Sequence, residues 1–266
     1  MPLLGWGTCC RQAATGEALK ASMRDYLRLG GRLVDTALMY RNQREIGEVL
    51  REPEFTWLRR DDVFITSKVM PADFGERETE AAVLRILEEL NASYVDLVLL
   101  HWPGEGRGER LQAWKALERS FQEGKAKAIG VSNFNEVHLA QLAKDGAQVT
   151  PMNNQLPLWP GSHQERTLRY CQEHGISVTA YNSIRRGREG REEAVRDAAA
   201  AHGMSETQVL LRWALDQGIA VIPGMTSREH LREALEVAGK GPLREKALAA
   251  LGRTVAMRSR KAADEL

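Results

Sequence analysis

Residues 32–40, RLVDTALMY, read as a short apolar strand that ends in an acid, with a tyrosine about one helical turn beyond it. One such acid means little, because Asp commonly closes strands and opens turns. Its weight depends on whether other strands end the same way. Six further short apolar runs follow, VFITSK, VDLVLL, AKAIGV, TPMNNQ, ISVTAY and IAVIPG, and LLGWG opens the chain. Between them lie stretches with helical spacing, GEALKASMRDYLRLG, ERETEAAVLRILEEL, ERLQAWKALERSFQEG and SETQVLLRWALDQG. Several segments stop at a glycine, Gly30, Gly124, Gly175 or Gly218, the residue type favoured just past a helix C-cap. Strand and helix alternate about eight times, which predicts a parallel sheet and, at this count and length, a closed (β/α)8 barrel.

The chain has 266 residues and 43% hydrophobic content, enough for one large barrel. No low-complexity linker or charge block divides it, so a single domain over residues 1–266 is expected. The 37 basic and 36 acidic side chains leave a formal charge of +1, which argues against a nucleic-acid partner. The N-terminus lacks the pattern of a secretory leader, and no apolar run reaches membrane-spanning length. The expectation is a monomer in the cytoplasm, with a small molecule as its partner. Cys9, Cys10 and Cys171 have no zinc-type spacing, so no metal is expected, and their odd number suits free thiols in a reducing compartment. Two segments fit the alternation less well. GEGRGE (104–109) reads as a flexible solvent loop. The basic RRGREGR (185–191) follows a strand end and is either a solvated charge run or a surface facing an anionic ligand.

In a (β/α)8 barrel the active site lies at the C-terminal ends of the strands, where residues distant in sequence converge on one mouth. The residues ending the apolar runs are Asp35, Lys68, His101, Ser132 with Asn133, Asn154 with Gln155, and Tyr181. Each has a bland alternative: Asp35 could cap a helix, Lys68 could reach solvent, His101 could be a satisfied core residue, and Tyr40 could simply pack. Together an acid, a lysine, a histidine and a nearby tyrosine suit proton donation to a carbonyl. A free tyrosine, with pKa near ~10, is a weak acid at neutral pH. A lysine ammonium beside it would lower that value, an aspartate would keep the lysine charged, and an imidazole could orient the substrate oxygen. None of these groups donates a hydride, so a cofactor must.

The stretches 35-DTALMY, 66-TSK, 100-LHWP, 130-GVSNF, 154-NQ, 179-TAY and 221-VIP occur in an order and spacing that resembles the aldo-keto reductase family, from 3-LLGWGT onward. The resemblance implies a barrel that reduces aldehydes or ketones with a nicotinamide cofactor and no Rossmann domain. It assigns Tyr40 as the general acid, Lys68 and Asp35 as its tuning pair, and His101 as the group that positions the carbonyl. It gives Ser132, Asn133 and Gln155 to the nicotinamide carboxamide and Tyr181 to the nicotinamide ring, and it places Tyr40, His101 and Trp102 against substrate. The hairpin that plugs the barrel bottom in the family is expected to be absent. Cys9 and Met70 stand where the family often has tryptophans, while Trp102 is retained, and the short Gly104 to Glu109 loop with a modest C-terminal tail points to an open substrate pocket.

The nucleotide segment departs most. The family commonly reads Val-Ile-Pro-Lys-Ser after the last strand, whereas this chain reads 221-VIPGMTSREHLREAL, with Gly224 for the lysine and His230 where an arginine would be. The substitutes for gripping the 2′-phosphate are Thr226, Ser227 and Arg228 at a helix start, with Arg232 one turn on and Glu233 retained for the adenine side. NADPH is the expected cofactor, by a reduced margin, with NADH as the other candidate. Two other functions use the same barrel: a Schiff-base aldolase built on Lys68, and a non-catalytic, nicotinamide-binding regulatory barrel.

Overall fold

Eight parallel strands pair in strict chain order, β1-β2-β3-β4-β5-β6-β7-β8, in a computed structural model that describes residues 1–9, 15–162, 164–186 and 192–252. They are β1 (Trp6–Gly7), β2 (Leu33–Asp35), β3 (Phe64–Val69), β4 (Leu97–Leu100), β5 (Ile129–Ser132), β6 (Asn153–Pro157), β7 (Ser177–Tyr181) and β8 (Ala220–Val221). Leu4 bridges Val221 in parallel, and Gly5 N donates to Val221 O at 2.8 Å, which closes β8 onto the first strand. The helices are α1 (Gly16–Arg28), α2 (Gln43–Leu50), α3 (Glu76–Leu90), α4 (Arg107–Gln122), α5 (Glu136–Lys144) and α6 (Glu165–Glu173). They continue as α7 (Ser183–Arg186), α8 (Glu192–His202), α9 (Glu206–Leu215), α10 (Arg228–Leu235) and α11 (Glu245–Leu251). The expected (β/α)8 barrel is therefore the observed architecture.

Two apolar layers hold it. The side chains between sheet and helices, among them Met23, Tyr26, Ile46, Ile86, Val98, Trp114, Val131, Val178 and Trp213, form one continuous buried cluster. Leu33, Leu97, Leu99, Ala220 and Ile222 are equally buried but lie outside that cluster. Strand alternation puts Leu33 on the side of Asp35 and Leu99 on the side of His101, so these residues fill the barrel interior. Space there is tight: a Cβ at Gly130 would fall 2.8 Å from Leu99 Cδ2 and 2.5 Å from Asn153 O. A larger residue at that position would push β5 away from β6.

Several expectations need correction. Only Gly104, Glu105 and Gly106 of the GEGRGE segment are loop; Arg107 to Glu109 form the first turn of α4, where Glu109 faces the positive end of the helix dipole. Within RRGREGR, Arg185 and Arg186 close α7, and residues 187–191 lie outside the described residues, as do Cys10 and the tail 253–266. The cysteines are not uniformly free: Cys171 is a buried thiol, but Cys9 is disulfide-bonded. Among the described residues no strand precedes Trp6 and no helix is long and apolar enough to cross a membrane.

Candidate active site

β2 delivers Asp35 to the mouth of the barrel, and the chain then makes one 3-10 turn, Leu38–Tyr40, that ends at Arg41 with a left-handed φ of 54°. A buried polar clasp fixes this turn. Thr36 Oγ1 donates to Asn42 Oδ1 at 2.6 Å, and Asn42 Nδ2 donates to the carbonyl and hydroxyl oxygens of Thr8, each at 3.2 Å. β3 brings Lys68 alongside. Its Nζ lies 2.6 Å from Asp35 Oδ1, 2.9 Å from Thr36 O and 3.5 Å from the Tyr40 hydroxyl.

Lys68 is 0% exposed, and a buried ammonium is tolerable only when paired and hydrogen-bonded. Burial pulls its pKa down, but Asp35 and then Tyr40 outweigh burial, so the pKa lies above the ordinary lysine value. A lysine held charged in this way cannot attack a carbonyl, which removes the physical basis for a Schiff-base aldolase.

Tyr40 corrects one expectation. Burial raises its pKa, and although the Lys68 charge opposes that shift, the Asp35 charge reinforces burial, so the phenol sits above its ordinary value of 10.0. Spacing on paper counted the lysine but not the desolvation. The hydroxyl is thus fully protonated across the neutral range, with an ammonium at 3.5 Å to receive the charge when the proton leaves.

His101 ends β4. Burial, with the Lys68 charge adding to it, depresses its pKa to about 3, so the ring is neutral at any working pH. Its Nδ1 is buried with no hydrogen-bond partner among the described residues. A proton placed on Nδ1 would be an orphaned buried donor, so we assign the proton to Nε2, which makes that nitrogen the donor. The ring meets Tyr40 edge-on, centroids 5.8 Å apart, and stacks on Trp102 at 4.0 Å. The loop behind them is clamped by a residue the sequence did not single out: the buried Arg110 of α4 donates to Pro103 O at 2.5 Å and Gly104 O at 3.1 Å.

The residues expected under the nicotinamide form one connected group. Ser132 Oγ and Asn133 N both donate to Gln155 O at 2.9 Å. Asn133, at a left-handed φ of 64°, donates through Nδ2 to His101 O at 2.9 Å and to Ser132 Oγ at 3.1 Å, and accepts from the Tyr181 hydroxyl at 2.7 Å. Gln155 Nε2 donates across the barrel to Asp35 Oδ2 at 2.7 Å. The side-chain carbonyls of Asn133 and Gln155 each retain acceptor capacity, and Gln155 Nε2 has a second N–H beyond the one given to Asp35, a donor-and-acceptor set that fits a carboxamide.

Thr226, Ser227 and Arg228 follow β8 and lead into α10. Ser227 caps α10 by accepting from His230 N at 3.2 Å. Ser22 Oγ of α1 donates to Thr226 O at 2.9 Å, and Arg228 Nη1 lies 3.0 Å from Asp25 Oδ1, so α1 clasps this segment. Glu233 accepts a hydrogen bond from the Ser205 hydroxyl, and Arg232 lies 3.8 Å from Glu236. Among the described residues no group of three or more His, Cys, Asp or Glu side chains could hold a metal ion.

A closed (β/α)8 barrel whose mouth gathers a buried Asp–Lys pair, a tyrosine hydroxyl and a neutral histidine defines a barrel oxidoreductase. Residues 4–255 match the Aldo/keto reductase family, to which this chain belongs. It is 39% identical over 238 residues to "Uncharacterized oxidoreductase YtbE" of Bacillus subtilis, covering 89% of this chain and 83% of that protein. It is 35% identical over 237 residues to "Glyoxal reductase" of the same organism, with coverages of 89% and 83%. Among solved structures, an aldo/keto reductase from Brucella melitensis superposes with a TM-score of 0.87 at 29% identity, over 94% of each chain.

Proposed function

We propose that this protein is an NADPH-dependent reductase of aldehydes and ketones in which Tyr40 is the general acid. The observation that carries this reading is the Lys68 ammonium, joined to Asp35 at 2.6 Å and within 3.5 Å of the Tyr40 hydroxyl at the barrel mouth. The cofactor, when bound, supplies the hydride. His101 Nε2 holds the carbonyl oxygen against Tyr40 and fixes the reacting atoms in one arrangement. As negative charge develops on that oxygen, it becomes far more basic than phenolate, and the proton passes to it from the Tyr40 hydroxyl. Lys68 stabilises the phenolate left behind, so a phenol that is a poor acid at rest becomes competent when the alkoxide forms.

Ser132, Asn133 and Gln155 hold the carboxamide in this reading, Tyr181 lies under the ring, and Thr226, Ser227 and Arg228 hold the 2′-phosphate. Trp102, 38% exposed beside His101, and the half-exposed Met39 give the substrate an apolar rim. Relatives named for glyoxal and, in Escherichia coli, methylglyoxal reduction make small dicarbonyls the first compounds to try. The test is a panel of aldehydes, ketones and 2-oxoaldehydes assayed with NADPH and with NADH. Turnover of none with either cofactor would favour the non-catalytic nicotinamide-binding barrel instead.

A further inference from the structure

Gln155 Nε2 holds the Asp35 oxygen that Lys68 does not use. The amide lies 2.7 Å from Oδ2, while Lys68 Nζ lies 2.6 Å from Oδ1. The two residues are 120 positions apart, on β6 and β2, which are separated by three strands in the sheet order. Gln155 is 4% exposed, and its main-chain carbonyl accepts from Ser132 Oγ and Asn133 N, which holds the backbone that carries the amide. A buried amide carried on a held stretch of backbone limits where Asp35 Oδ2 can sit.

We infer that Gln155 is a positioning residue for the proton donor: by holding Asp35 Oδ2 it sets how Oδ1 meets Lys68 and draws carboxylate charge away from Tyr40. The inference rests on Tyr40 being the acid and is separate from the carboxamide contact proposed for the same side chain. The groups facing Tyr40 are Lys68, Asp35 and the neutral His101, and of these Asp35 makes the phenol harder to ionise. A hydrogen-bond donor on the carboxylate spreads its charge. Without that donor, Asp35 acts on Tyr40 at full strength and the phenol becomes a weaker acid.

Two variants test this at saturating NADPH, with cofactor affinity measured separately by fluorescence titration. For Gln155→Met we expect kcat to fall roughly ten-fold or more, the scale of one charge-assisted hydrogen bond, and its alkaline limb to move to higher pH. Gln155→Glu removes the donor only while the new carboxyl is ionised, and Asp35 opposes that ionisation. Its kcat should therefore rise as pH falls through a carboxyl pKa that infrared titration of the cofactor-free protein reads as elevated. Gln155→Glu also keeps the test independent of whether Gln155→Met folds, since protonation restores the bond. Weaker cofactor binding with a wild-type kcat and wild-type pH limbs in both variants would overturn the inference and leave Gln155 serving the cofactor alone. Retained turnover in Tyr40→Phe is a different failure, because it removes the acid itself whatever the Gln155 variants do.

Discussion

Lys68 and Asp35 form an ion pair at 2.6 Å in which the lysine side chain is 0% exposed and the aspartate 4%. Such a pair is costly to break from one side only, because the partner stays behind as an uncompensated buried charge. Lys68→Met should abolish carbonyl reduction and also lower unfolding stability by about 3–5 kcal/mol. Adding Asp35→Asn should recover much of that stability and none of the activity. Urea unfolding of the single and double variants, beside turnover assays, checks both halves; equal stability of the two variants would count against the pair.

Tyr40→Phe keeps the ring and loses only the hydroxyl that lies 3.5 Å from Lys68. We expect kcat to drop by at least roughly 10²-fold, the scale of a lost general acid, with the NADPH dissociation constant nearly unchanged. More than a few per cent of wild-type turnover would mean that another group supplies the proton.

His101 makes a prediction about acid stability. Its folded pKa of about 3 lies below the unfolded value near 6.5, so as pH falls below 6.5 the unfolded chain takes up a proton that the folded chain refuses. Stability from this group is therefore intact above pH ~6.5 and is lost toward pH ~3, amounting to about 2 kcal/mol by pH ~5. His101→Gln, which cannot take up that proton, should show a smaller loss of unfolding free energy between pH ~7 and pH ~5 than the wild type. Parallel pH dependence in the two proteins would show that burial does not hold the imidazole neutral. In turnover, His101→Gln should retain part of the activity that His101→Ala loses, because it keeps a donor in reach.

A phosphate competes with Asp25 for the Arg228 guanidinium. That bridge involves an arginine side chain 61% exposed, and an exposed pair is worth at most about 1 kcal/mol. A 2′-phosphate offers a charge-assisted contact of roughly 1.5–3 kcal/mol, enough to win the guanidinium. Wild type should favour NADPH, and Arg228→Ala should lower kcat/KM for NADPH several-fold while leaving NADH untouched. A wild type that prefers NADH, or an unchanged ratio in the variant, would exclude Arg228 as the clamp.

The barrel was legible because its strands are short apolar runs separated by helical periodicity and closed by glycines such as Gly30 and Gly124, whose φ values of 90° and 75° are left-handed. The convergence of Asp35, Tyr40, Lys68 and His101 followed from the barrel rule once each was seen at or just beyond a strand end. The energetic balance at Tyr40 was not legible, because desolvation depends on what covers a group, and spacing does not show that. Nor was the Gln155 bridge to Asp35, since no local pattern links residues 120 positions apart. Arg110 was hidden differently: arginine is a residue type seldom fully buried, yet here it lies buried under carbonyls of the loop it clamps. Asn42 carried a weak local cue, a short polar residue two positions past Tyr40 where a tight turn must end.

Asn133 joins the His101 carbonyl, the Ser132 hydroxyl and the Tyr181 phenol from a backbone conformation that favours glycine. Glycine would relax that backbone and lose all three bonds, and aspartate could accept from Tyr181 but not donate to His101. Position 133 thus leaves little room for divergence, and it ties the chemistry to the ends of β4, β5 and β7 rather than to the loops above them. Met39 and Trp102, at the rim, take part in none of these three bonds. Over evolutionary time, or on a laboratory bench, the menu of carbonyls can be rewritten at that rim while the reaction beneath stays the same.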